Sequence, residues 1–148
     1  MLTSKQKGSR GEVEVVADLV RRDLPAFIQI GEFTSVDVIT IFKNKALKIQ
    51  VKSQFPSKKN GSFALATHSN GPGHTHHYTV EEIDMYALVD LSTSNVYYVA
   101  ASDVLKRSTG MSFVNESSMK QKQKNSNYIS SYTSFEDAAM KVLECAVS

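Results

Sequence analysis

Cysteine is almost missing from this chain of 148 residues. The single Cys145 excludes an intramolecular disulfide and fits a reducing interior. Long apolar runs are missing as well, and none approaches the ~20 residues needed to cross a bilayer. The opening MLTSKQKGSR is basic, but no apolar signal-peptide core follows it. A cytoplasmic, intracellular location is therefore expected. The chain also lacks internal repeats and any linker that would divide it. One domain over residues 1–148 is expected, large enough for a real core. A strong charge of one sign is absent too, since the formal net charge is only +2.

What is present has local structure. Basic residues gather in three runs: SKQKGSR near the start, SKK at Ser57–Lys59 and KQKQK at Lys120–Lys124. Each run alone is commonly a solvated loop, but three on a small domain favour a polyanionic partner. A first helix is expected from about Ser9 to Asp23. Val13, Val16, Ala17, Leu19 and Val20 recur in it at helical spacing, and Pro25 ends it. Two strands follow, roughly Val36–Phe42 and Leu47–Gln54, joined by a tight turn at KNK. The next stretch, to Tyr78, reads mainly as loop, with a short strand at Ser62–Ala66. Thr79 with Glu82 forms a capping-box pattern for a short helix. MYALVDLSTSNVYYVA reads as strand, turn, strand. Ser102 is placed to cap a helix over Asp103–Arg107, and MSFV reads as an edge strand. Ser134 starts a last amphipathic helix with Phe135, Ala138, Ala139, Val142, Leu143 and Ala146 on its dry side. Helix, strands, helix is the order of an α/β (α+β) domain with helices packed on a central mixed sheet.

The two central strands carry an unusual set of polar residues. On the first, Asp37, Ile39 and Ile41 point one way, and Val36, Val38 and Thr40 the other. Both faces are apolar, as in a buried central strand, where an unpaired aspartate is costly. On the second, Gln50 and Lys52 share a face. A turn at Asn44–Lys45 would set Asp37 opposite Lys52. On a helical wheel Glu12 leans toward the sheet and Glu14 toward water. From the strand pattern alone, two readings stay open: a structural ion pair on a wet face, or a site. As a site, the set suits phosphodiester hydrolysis. Two carboxylates, Glu12 and Asp37, hold a hard cation such as Mg²⁺, completed by the Gln50 side-chain oxygen or the Val51 carbonyl. Such a cation lowers the pKa of a water, which Lys52 orients.

GSRGE on the helix, SVD on one strand and IQVK on the next resemble the PD-(D/E)xK nucleases. The pattern is most similar to their small group of cyanobacterial group I intron homing endonucleases. HYTVEEIDMYALVD and NVYYVAASDV resemble that group's downstream segments, so the similarity runs from about Gly8 to Val104. The resemblance implies a PD-(D/E)xK restriction-endonuclease-like core with Glu12, Asp37, Gln50 and Lys52 as catalytic positions. It implies Mg²⁺ as cofactor, with Mn²⁺ as a substitute, and double-stranded DNA as partner. Gln50 stands where the wider superfamily has Asp or Glu, which removes one formal charge from the metal site.

With DNA as partner, Lys7, Arg10, Ser53, Lys58, Lys59, Lys120, Lys122 and Lys124 are candidate DNA-binding residues. In GPGHTHH, His74 and His76 have the alternation of zinc ligands, but no cysteine or second histidine pair stands near. A polar loop beside the DNA is the expected reading, with His77 and Tyr78 as phosphate or groove contacts. The implied function is site-specific, metal-dependent DNA cleavage by a homo-oligomer, a dimer or higher, since one site cuts one strand. A Holliday junction resolvase or restriction-type nuclease shares the core, and a catalytically inactive DNA-binding module is the alternative that Gln50 keeps open.

Overall fold

The computed structural model describes residues 1–116 and 126–147. The elements in order are α1 (Ser4–Arg21), β1 (Phe27–Ile28), β2 (Val38–Phe42), β3 (Lys45–Gln54), β4 (Phe63–Ala66), β5 (His68–Gly71), β6 (His74–His77), β7 (Met85–Asp90) and β8 (Val96–Ala100). Then come α2 (Ala101–Leu105), β9 (Gly110–Phe113), a 3₁₀ turn (Ile129–Tyr132) and α3 (Phe135–Val147).

Five strands form the main sheet in the order β1-β2-β3-β7-β8. β3 and β7 are parallel and the other neighbours antiparallel, so the sheet is mixed, as expected. Every residue of β7 and β8 is buried, because both faces of these strands are covered. On one face Val38, Ile49, Met85 and Tyr98 pack against Val15 and Leu19 of α1 and Phe135 and Ala139 of α3. On the other, Tyr86, Leu88, Tyr97 and Val99 meet Phe63, Leu65, Met111 and Phe113 of a small second sheet, β4 with β9. α1 and α3 thus cover one face of the main sheet, and the small sheet with α2 covers the other.

Several sequence expectations are corrected. α1 starts five residues early, because Thr3 and Gln6 form a capping box: Gln6 N–H donates to the Thr3 hydroxyl, and Thr3 N–H to the Gln6 side chain. Its buried stripe is Gly11, Val15 and Leu19, while Val13 and Val20 face solvent. A glycine decides this. A Cβ at Gly11 would collide with Ser53 Oγ and stand 3.3 Å from Val51 Cγ1, so only glycine lets the helix backbone close onto β3. Hydrophobic periodicity does not count glycine, so it places the stripe wrongly.

The β2–β3 turn is Lys43–Asn44, both at positive φ, and Phe42 pairs with Lys45. The register shifts by two residues relative to the expected turn, and the position opposite Asp37 is Gln50 rather than Lys52. β2 is also not a fully buried central strand: Val38 and Thr40 are buried, whereas Ile41 is exposed beside the two-residue strand β1. GPGHTHH is not loop but part of a hairpin, β5 with β6. Thr79 and Glu82 make both capping-box hydrogen bonds, yet they close a turn and no helix follows. α2 begins at Ala101 with no side-chain cap, so Ser102 lies inside it. Ser134 does accept the Asp137 N–H at the start of α3, but Ala146 is exposed.

Candidate active site

The β2–β3 ladder ends at Val38–Ile49, where Asp37 N–H still donates to the Ile49 carbonyl at 2.9 Å. Beyond this point β3 continues against β7. The Asp37 side chain fills the opening. Its Oδ2 accepts the Val51 main-chain N–H at 2.8 Å, the donor that a continuing β2 would have taken. The same oxygen accepts the Gln50 side-chain amide at 2.6 Å. Gln50 is 7 % exposed, and its amide also donates to the Val51 carbonyl at 3.2 Å. The aspartate that looked costly in a strand is therefore held by two donors, with both bonds on Oδ2.

Electrostatics at Asp37 run in both directions. Burial raises its pKa, and this outweighs the Val51 N–H, the Lys52 charge and the Gln50 amide, which lower it. Across the opening stands Glu12, the residue after the close-packed Gly11. Glu12, Asp37 and Glu32 line one cleft of about 450 Å³. Burial raises the Glu12 pKa first, and the charges of Asp37 and Glu32 raise it further. Two carboxylates that burial makes hold their proton more tightly than usual thus face one cleft. Hard oxygen donors of this kind suit Mg²⁺, which keeps several waters and needs one or two carboxylates. The residues present fit that ion.

Lys52 leaves β3 on the same face as Gln50, two residues on. Its ammonium donates to the Tyr78 hydroxyl at 2.9 Å and lies 5.1 Å from that ring's centroid. Tyr78 is 8 % exposed and stands edge-on to Tyr86 and to His76. This corrects the expectation of Tyr78 as a groove contact: its side chain is packed beneath the site and holds Lys52. A tyrosine just before the Thr79–Glu82 turn is the only signal sequence offers for this, and it does not reveal the partner.

A model of the PD-(D/E)XK endonuclease family matches residues 2–135. The chain belongs to the PD-(D/E)XK endonuclease family. Among solved structures it is similar to one described as a bacterial homing endonuclease, I-Ssp6803I, at 16 % identity. That likeness covers 99 % of this chain and 98 % of the other, with a TM-score of 0.76. No curated protein sequence matches the chain significantly. The fold is thus that of a PD-(D/E)XK enzyme, and the chain is a DNA endonuclease.

The endonuclease's remaining sequence candidates are scattered. Ser53 donates its hydroxyl to the Lys7 carbonyl of α1 at 2.9 Å, which makes it a helix–sheet clamp rather than a DNA contact. The Lys7 ammonium lies 5.6 Å from the Phe55 ring centroid. Arg10 donates to Ser94 in the β7–β8 turn at 3.2 Å. Lys58 and Lys59 are exposed in the turn before β4, and His77 is exposed on β6 beside the His68 ring. Lys120, Lys122 and Lys124 lie outside the described residues. His76 Nε2 lies 3.0 Å from a Glu82 carboxylate oxygen, within hydrogen-bond distance. Among the described residues no group of three or more His, Cys, Asp or Glu side chains is placed to hold a metal. Glu32 and Gln29, which line the cleft, carry no motif or spacing in the sequence that would single them out.

Proposed function

We propose that the chain is a Mg²⁺-dependent, site-specific endonuclease of double-stranded DNA, of the homing type, and that Glu12, Asp37, Gln50 and Lys52 are its catalytic residues. The observation that carries this reading is the convergence of Glu12 and Asp37 on one cleft, with the Gln50 amide bonded to Asp37 and the Lys52 charge acting on it. Asp37 and Glu12 would hold the cation, with the Gln50 amide oxygen or the Val51 carbonyl beside them. When bound, that cation lowers the pKa of a water and offsets charge on the phosphate. Mn²⁺ is an expected substitute. The likeness to a structure described as a homing endonuclease supports the finer reading.

The chain's own residues supply orientation and charge. Lys52 is anchored by Tyr78 through one N–H, which leaves two for the attacking water and the phosphate. It helps hold the water deprotonated and stabilises the negative charge that grows as the water attacks phosphorus. The Val51 N–H and the Gln50 amide fix the Asp37 carboxylate. The products are a 5′-phosphate and a 3′-hydroxyl. The described residues carry one such site, so two chains would place two sites across the duplex to cut both strands.

The test is cleavage of a pooled random duplex library and of a four-way junction, in Mg²⁺ or Mn²⁺, with chelator and Lys52→Ala controls. Duplex cuts that require metal and Lys52 support the proposal. Cutting of the junction alone would make the protein a resolvase. Metal-independent binding without cleavage would make it a DNA-binding module.

A further inference from the structure

Between β1 and β2 the chain runs Gln29-Ile30-Gly31-Glu32-Phe33-Thr34, and this loop forms one wall of the catalytic cleft. Its side-chain chemistry is inverted. Ile30 is 90 % exposed and Phe33 is 84 % exposed, while the polar Gln29 is turned inward. The Gln29 side chain donates to the Thr34 carbonyl at 3.3 Å and to the Val36 carbonyl at 2.9 Å. It accepts the main-chain N–H groups of Phe33 at 2.8 Å and Thr34 at 2.9 Å. One side chain thus satisfies four backbone groups and braces the loop. Gly31 has φ +94°, and a Cβ there would collide with the Phe33 ring, so the ring lies over the glycine. A loose loop would let its apolar side chains fold inward. This one is built to keep two of them outside.

We propose that Ile30 and Phe33 are a wedge that inserts between base pairs of the DNA being cut. The proposal rests on the nuclease reading above. Its occupant follows from position. Glu32 and Thr34 of the loop line the same cleft as Glu12 and Asp37, so a phosphate that reaches those carboxylates brings the duplex over the loop. Glu32 adds its charge to Glu12 within the cleft, and the flanking side chains are the uncharged ones. Aliphatic and aromatic wedges of this kind unstack a base step and kink the duplex. At this site the kink would carry the scissile phosphate down toward Asp37. The sequence preference of such a device lies in how easily a step deforms, with no hydrogen bond to a base edge.

The experiment uses the full chain and two duplexes of one sequence that the protein cuts in the pooled library, each about 30 base pairs long, roughly the span of a large site. Each carries 2-aminopurine, and one has a two-base mismatch bubble beside it. Binding is read by anisotropy and unstacking by 2-aminopurine fluorescence, in Ca²⁺ to limit turnover. The wild-type protein is expected to raise the fluorescence of the matched duplex and to bind the bubbled one about tenfold more tightly, since its unstacking is already done. The Ile30→Ser/Phe33→Ser protein is expected to lose the fluorescence rise and bind both duplexes alike. Gln29→Ala, which keeps both apolar side chains but frees the loop, is expected to lie between. Melting curves show whether each variant is folded, and light scattering gives its mass. An unchanged bubble preference in the double variant overturns the wedge while leaving the nuclease reading intact. A fall in mass would assign the loop to contact with a second copy, and that also overturns it. If the wild-type protein binds neither duplex, the nuclease reading itself fails.

Discussion

Replacing Gln50 with glutamate restores the residue type of the wider family and tests how the metal-free site is held together. In the folded protein Gln50 donates to Asp37 Oδ2 at 2.6 Å, and it is 7 % exposed, so solvent screens little. An ionised carboxylate in its place could not donate. Losing a hydrogen bond to a charged group costs roughly 1.5–3 kcal/mol. Repulsion between the carboxylates adds about 4 kcal/mol at 4 Å and an effective dielectric near 20. The pair can escape by binding a proton, after which the protonated acid donates again. From an ordinary glutamate pKa of about 4.3, that proton costs roughly 3.7 kcal/mol at pH 7 and about 1 kcal/mol at pH 5. Proton capture sets the ceiling, so Gln50→Glu should destabilise by roughly 2–4 kcal/mol at pH 7 and by about 1 kcal/mol at pH 5. For a chain of this length the loss at pH 7 is a fall in Tm of roughly 5–15 °C. The assay is thermal melting by circular dichroism in chelator at both pH values, repeated with Mg²⁺. The added carboxylate should make the Mg²⁺-induced rise in Tm larger in the variant than in the wild type. A Gln50→Glu protein as stable as wild type at pH 7 in chelator would refute the Gln50–Asp37 hydrogen bond as a stabilising contact.

Gly11→Ala should lower stability by about 1–3 kcal/mol, because its Cβ collides with Ser53 Oγ and disturbs the Ser53–Lys7 clamp; a denaturant midpoint equal to wild type would contradict the close α1–β3 approach. Tyr78→Phe keeps the ring packing and removes only the acceptor for Lys52, so kcat should fall about tenfold with a shifted pH–rate profile while KM for DNA holds. An unshifted profile would show that Tyr78 only packs. Glu12→Gln should melt higher than wild type in chelator at neutral pH. The Glu12 pKa is raised by burial, then by Asp37 and Glu32, so its folding contribution is fully present below the unfolded pKa and lost as pH rises through the folded one. The gap between the two melting curves should therefore close as pH falls below the ordinary glutamate range, and a gap that is independent of pH would count against the shift.

Much of the architecture can be read from residue order. The apolar runs of β7 and β8, the hydrophobic alternation of β3 and the amphipathic α3 mark themselves by period, because burial of one or both faces is a local demand on sequence. SVD and IQVK place Asp37, Gln50 and Lys52 on adjacent strands without reference to tertiary structure. The inferences that fail depend on distant partners. Which face of α1 is buried was decided by a glycine whose value appears only when β3 is beside it. The position opposite Asp37 was decided by Lys43 and Asn44 both accepting positive φ, a choice of turn that residue type leaves open. Tyr78 looked like a surface aromatic until its ring met Tyr86 and its hydroxyl met Lys52, 26 residues away. The Gln29 brace looks like any polar loop residue until Phe33, Thr34 and Val36 fold around it. Sequence by itself determined which chemical groups share a strand or helix, since a period of two or 3.6 is local geometry. Only the tertiary structure decided which of them touch, since register, close approach and burial are properties of segments brought together across the chain.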